Sequence, residues 1–322
     1  MRRQFLIPED EFVIDSGTPF ALSFKAKEFI GGEYGCRIVF NQKEKGLKNE
    51  IKFKQDVEII SSNTEFVVYA IKRHNDFFLN EKVPTDPNDL CLFESCQFIY
   101  PLEIKTNHFG SATEIRNYRE IKIRWTEKYK DSLIKKFGPA IANKYSKGIQ
   151  NVLDSQEKFE NCIFNEWFTS LFFNTIYREY SYNFIKVGTH SYPLIPKVKP
   201  VDFKVKARIE KDEQYIRLFY KGEINDGRSL MDLSQNLDDP YYAIIEDTNQ
   251  VARSDFKIQY LIHKVSHEIY GFQGLFNHNI NGSKDIEISM YRLGAIKQIE
   301  TENKDQSENK RSNGIFSKLF KW

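Results

Sequence analysis

Several residue sets in this 322-residue chain have the types and spacing that chemistry requires. A metal-dependent nuclease of the restriction type needs an upstream acid followed by Glu-x-Lys on a strand: the carboxylates hold a divalent cation and the lysine steadies the attacking water. Asp86 or Asp89 followed by Glu103-Ile104-Lys105 has that spacing. Glu50-Ile51-Lys52 and Glu120-Ile121-Lys122 repeat the core triplet, as any strand with one wet face does by alternation. His263 and His267 lie four apart with His278 as a third imidazole for zinc, but Lys264 stands where a metalloprotease keeps its glutamate base. There is no Gly-x-Ser-x-Gly elbow and no cysteine beside a base. Gly31-Gly32-Glu33-Tyr34-Gly35 lacks the lysine and following helix of a phosphate loop and reads as a turn. The expectation is a non-catalytic protein with no assigned metal or cofactor.

Charge is uneven although the formal sum is only +2. Tyr118 to Gly148 carries nine Lys and Arg against three acids, whereas Glu223 to Asp247 carries seven acids against Arg228. Opposed fields of this kind orient an interface, and Lys128, Lys135 and Lys136 are the candidate contacts if the partner is a nucleic acid.

The segment 314–322 has the sharpest pattern. On a helix, Ile315, Phe316, Leu319, Phe320 and Trp322 fall within an arc of about 160°, with Ser317, Lys318 and Lys321 opposite. So short a helix is unstable alone in water and forms against a groove or a lipid surface. Ile315, Phe316, Lys318, Leu319, Phe320, Lys321 and Trp322 are therefore candidate docking residues for a protein or a membrane. Residues 300–313 contain no apolar side chain and read as a disordered linker. This arrangement resembles the linker-plus-amphipathic-tail endings of peripheral bacterial division proteins, over these last two dozen residues alone.

Elements must carry these groups. Up to residue 125, period-two patterns predict strands at 20–27, 36–40, 50–53, 57–60, 65–71, 96–105 and 120–125, with a Pro-containing loop at 83–89. From Tyr129 to Leu153 apolar residues recur every four positions, and Pro139 divides them into helices over 127–137 and 139–152. A third helix begins near Asp154, continuing through Phe159, Trp167 and Phe172. Val201, Phe203, Val205, Ala207 and Ile209 alternate with charged residues as a strand, paired through a hairpin with 215–220. Further strands are expected near 241–246 and 285–292, while 256–270 suits a strand or a helix equally.

The whole reads as an α+β protein: a β-rich domain, sandwich or barrel-like, over 1–125, a helical layer over 126–185, a second β-rich unit over 198–298, a linker at 299–313 and the amphipathic peptide. Forty-seven aromatics supply ample core. No run approaches the ~18 apolar residues of a membrane span, and only three apolar residues precede Pro8, too few for an export signal. Four cysteines, Cys36, Cys91, Cys96 and Cys162, form no C-x-x-C pair and are expected reduced in a cytoplasm. The expected function is a subunit or adaptor of a larger assembly, cytoplasmic or peripheral at the inner face of the membrane. Its partners would be other protein subunits, with nucleic acid binding or a Glu103/Lys105 nuclease as the alternatives.

Overall fold

The computed structural model describes residues 20–196, 198–211, 214–242 and 251–294. In chain order the strands are β1 (Phe20–Ala21), β2 (Gly32–Gln42), β3 (Leu47–Ser62), β4 (Phe66–Leu79), β5 (Leu102–Asn107), β6 (Ala112–Ile115), β7 (Glu179–Tyr180), β8 (Ile185–Tyr192), β9 (Val201–Lys211), β10 (Tyr215–Ile224), β11 (Ser254–His263), β12 (Ile269–His278) and β13 (Lys284–Arg292). The helices are α1 (Pro87–Ser95), α2 (Tyr118–Arg124), α3 (Lys130–Phe137), α4 (Pro139–Val152), α5 (Gln156–Phe164), α6 (Trp167–Phe172) and α7 (Leu230–Ser234). A π turn, Trp125–Tyr129, joins α2 to α3 without a break.

Eleven antiparallel strands form one sheet in the order β6-β5-β4-β3-β2-β13-β12-β11-β10-β9-β8, and β1 pairs with β7 apart from it. The α+β class therefore holds, and the β-rich stretches on either side of the helices share this sheet. They meet where β2 pairs with β13, Cys36 opposite Met290. Alternation assigns each face. Ile209, Leu218, Tyr260, Phe272, Met290, Cys36 and Phe53 lie in register across seven strands, and all are buried.

Helix α6 packs on this face: Trp167 meets Phe276 at 4.9 Å, Phe172 meets Tyr34 at 5.6 Å and Phe173 meets Tyr69 at 5.2 Å. Gly274 faces this helix, and a Cβ there would reach Leu171 at 4.0 Å, an ordinary contact, while crowding the Phe276 ring of its own strand at 3.3 Å. The opposite face carries cross-strand ion pairs such as Arg37–Glu50 (2.8 Å) and Lys54–Glu33 (3.5 Å). Both outer strands are plugged by side chains. Glu160 and Gln156 of α5 bond the Ile115 N–H and C=O on β6, and Arg178 donates to the carbonyl of Val187, the bulged residue of β8 between Lys186 and Gly188.

Several sequence expectations change. Residues 120–125 are helical: Ile121 and Trp125 are buried one turn apart while Ile123 is 51% exposed, so the four-residue series begins two turns earlier than Tyr129, at Ile121. Of 20–27 only Phe20–Ala21 is strand, and Gly32 opens β2 instead of ending a turn. The expected strands at 50–53 and 57–60 are one strand, β3, and that at 96–105 is strand only from Leu102. The ambiguous 256–270 resolves as β11, a turn and the start of β12. Ser155, not Asp154, caps α5, accepting from the Lys158 N–H. Helices α3 and α4 divide at Gly138-Pro139 as expected, and strands β9, β10 and β13 hold. Tyr241 and Tyr242 are not in a strand. The remainder of 241–246, and both 299–313 and 314–322, lie outside the described residues.

Candidate docking groove

The groove lies where α1 and α3 part over the end of β4. Asp86 starts α1: its carboxylate accepts from the Asn88 N–H (2.8 Å) and the Asp89 N–H (3.4 Å), and Pro87 takes the first helical position. Those bonds, the Asn88 N–H foremost, hold its pKa below the ordinary value. Phe93 of α1 then stacks on Phe77 of β4, 4.7 Å between ring centres.

The opposite wall is set by the π turn. Its one extra residue per turn rotates α3 about the helix axis, keeping Trp125 fully buried 5.0 Å from Phe98 while Tyr129, Ser132 and Leu133 line the groove. Arg124 fastens this helix by donating to the carbonyls of Tyr100 (2.5 Å), Ile99 (3.1 Å) and Pro101 (3.0 Å). Glu94 and Lys136 form an ion pair between the walls. The recess has a volume of about 440 Å³ and is lined by Asn75, Phe77, Val83, Pro84, Leu90, Phe93, Gln97, Tyr129, Ser132 and Leu133 among others. Its lining exposes polar and apolar surface in nearly equal measure, with Phe77, Phe93 and Tyr129 beside Asn75, Glu94, Gln97 and Ser132, a mixture that suits side chains of a bound segment.

Further along β3 and β4, polar groups face the core. Arg73 faces the core opposite Gln55, bonds Glu166 at 3.1 Å, and sits over the rings of Phe53 (4.3 Å) and Tyr100 (4.8 Å). Burial alone would lower its pKa, but Tyr100 and Glu166 outweigh that and the guanidinium stays charged. Gln55 is fully buried, and neither side-chain nitrogen nor oxygen has a hydrogen-bond partner.

The residues singled out by the sequence are scattered over the fold. Lys128 and Lys135 are exposed on the helix that forms one groove wall, and Lys136 is taken by Glu94. Glu103 and Lys105 sit on the outer face of β5, where Lys105 pairs with Glu114 (3.5 Å) and lies over the Phe66 ring (4.9 Å). Asp86 serves as a cap, and Glu50 is bound by Arg37 and Lys52. Burial raises the Glu50 pKa, but those two cations outweigh it and hold it at about 2. Glu120 is on a helix. Among the described residues no group of three His, Cys, Asp or Glu is placed to hold a metal. His263 ends β11 and His267 follows the turn 264–266, bonding the Ser23 carbonyl at 2.7 Å, while His278 is at the far end of β12. The helix that would set the first two one turn apart does not form.

Sequence reading missed one constellation here. Ser266 bridges His263 Nδ1 (2.9 Å) and Glu268 (3.1 Å), but its hydroxyl is buried and stands between imidazole and carboxylate, so the acid does not orient the histidine. Glu268, fully buried, is instead a structural anchor that accepts from Arg292 (2.6 Å), Ile30 N–H (3.1 Å) and Ser266. The groove was missed as well. Its signal was Asp86-Pro87 followed by Leu90 and Phe93, a helix start inside what reads as a loop.

No family model matches the chain, and no curated protein matches it. Among solved structures there is similarity to a chain of lipovitellin described under lipid–protein interactions, with a TM-score of 0.37 and 10% identity over 81% of this chain. This chain spans about a quarter (24%) of that one, and a likeness so slight carries no argument about fold or function.

Proposed function

We propose that this chain is a non-catalytic subunit or adaptor of a larger protein assembly, and that the groove between α1 and α3 receives an apolar segment of a partner. The supporting observation is the 440 Å³ recess itself, with Phe77, Leu90, Phe93 and Tyr129 on its walls and the Glu94–Lys136 pair between them. Aromatic walls under a charged rim are the makings of a binding hot spot. In this reading the amphipathic peptide 314–322 is a second contact, to protein or to the inner face of a membrane, and the protein works in the cytoplasm.

Affinity capture of the whole chain from native lysate tests it, compared with Ser132→Arg, which puts a charge into the groove from an exposed position. Partners that fall about tenfold in the variant support the proposal. Equal capture by both chains, or a lone monomer in light scattering, overturns it. A second reading, nucleic-acid binding, is favoured by the exposure of Lys128 and Lys135 on one helix. It requires a salt-sensitive mobility shift that weakens when both are changed to Ala.

A further inference from the structure

The groove has an occupant within the chain's own reach. We infer that peptide 315–322 docks in it intramolecularly, as a latch that a partner must displace. The inference rests on the groove being a docking site, but needs no partner to be present.

Reach comes from the sheet. Phe77 on β4 is in register with Phe53, Cys36 and Met290, so three strand spacings separate β4 from β13. Gly294 stands four residues beyond Met290. At ~4.8 Å per strand and ~3.3 Å per residue, Arg292, where β13 ends, is about 16 Å from Phe77 along the sheet, and Gly294 follows two residues later. The 20 residues 295–314 are enough to cover that distance, since a chain of that length can extend to as much as ~66 Å. Because peptide and groove belong to one chain, their encounter does not weaken on dilution, which favours even weak docking.

The chemistry is complementary. The peptide brings two phenylalanines and a tryptophan on one face, and the groove offers the Phe77–Phe93 stack and Tyr129. Its polar face carries Lys318 and Lys321. The stretch from Glu81 to Glu94, which includes α1, has four acids against Lys82. Docking also supplies the surface that an eight-residue helix lacks alone.

The test is photo-crosslinking of the purified full chain carrying Phe320→p-benzoylphenylalanine, with the products mapped by mass spectrometry. Expected are cross-links within one chain to 77–97 or 129–133, in a yield unchanged by tenfold dilution and reduced about tenfold by Ser132→Arg. Asn75→Arg, from an exposed position on the same groove, replaces Ser132→Arg if that variant does not fold. Cross-links only between chains, only to other surfaces or none at all overturn the latch, as does a yield insensitive to the groove variant. Loss of the groove cross-link together with co-sedimentation on phosphatidylglycerol vesicles assigns the peptide to lipid and also overturns it. Because no partner is present, failure here leaves the capture experiment standing, and failure of capture leaves this one standing.

Discussion

Over β10 and β11 the core tyrosines find partners for their hydroxyls: Tyr180 bonds Tyr220 (2.7 Å) and the Ile176 carbonyl (2.8 Å), Tyr220 bonds the Thr175 carbonyl (3.0 Å), and Tyr260 bonds the Leu171 carbonyl (3.1 Å). Over β3, β4 and the helices beside the groove, buried polar atoms lack protein partners: both side-chain atoms of Gln55, Arg73 Nε, Gln97 Nε2 and Trp125 Nε1. Both regions bury polar groups and both leave some unpaired, for His190 Nδ1, Arg208 Nε and His278 Nδ1 on the tyrosine side also lack a protein partner. What differs is that the tyrosine hydroxyls are satisfied while the Gln55 amide is not at either atom. Satisfied hydroxyls fix the tyrosine packing, whereas a buried amide with neither atom bonded costs the full desolvation of both.

Acid should separate the two regions most strongly, and its effect falls on the tyrosine side. His190 on β8 and His278 on β12 are held neutral by burial, each with its pKa lowered to about 4. An unfolded chain takes up these protons near pH 6.5 while the folded one does not until about 4, so stability falls as pH drops through that window. At pH 5 the loss is about 2 kcal/mol for each, about 4 in all, read as the drop in urea unfolding free energy from pH 7. His278→Gln should remove about half of that drop; an unchanged pH dependence would refute the assignment.

Paired substitutions give opposite signs. Tyr260→Phe removes a donor to the Leu171 carbonyl and a partner of Asn174, and should cost about 1 to 2 kcal/mol. Gln55→Met replaces an unpartnered buried amide with an apolar chain of similar size and should stabilise by about 1 kcal/mol in the same titration. If both destabilise equally, the two halves do not differ as described. The smallest effect belongs to the outer face, where Lys105→Ala breaks a partly exposed pair with Glu114 and should change stability by less than about 0.5 kcal/mol.

Much of this architecture is legible in the sequence where one face is wet and one dry. Strand β9 alternates Val, Phe, Val, Ala and Ile with charges and is read correctly, as are α3 and α4 around Pro139. Reading fails where two periods overlap. Ile121, Ile123 and Trp125 satisfy a strand, yet Ile121 and Trp125 also stand one helical turn apart, and packing against the core chose the helix. The groove is a product of tertiary placement: Phe77, Phe93 and Tyr129 come from three elements, and their meeting has no local signal. Pairing of β2 with β13 is equally silent, since register between strands so distant in the chain is set by the assembled core.

That central pairing also bears on synthesis. Until residues 284–292 leave the ribosome, β2 presents an open row of backbone donors and acceptors in what becomes the middle of the sheet. Contacts of such long sequence separation form late, so a nascent chain lengthens for most of its translation with a sticky central seam, and its handling by chaperones should matter more than for a fold built from local hairpins.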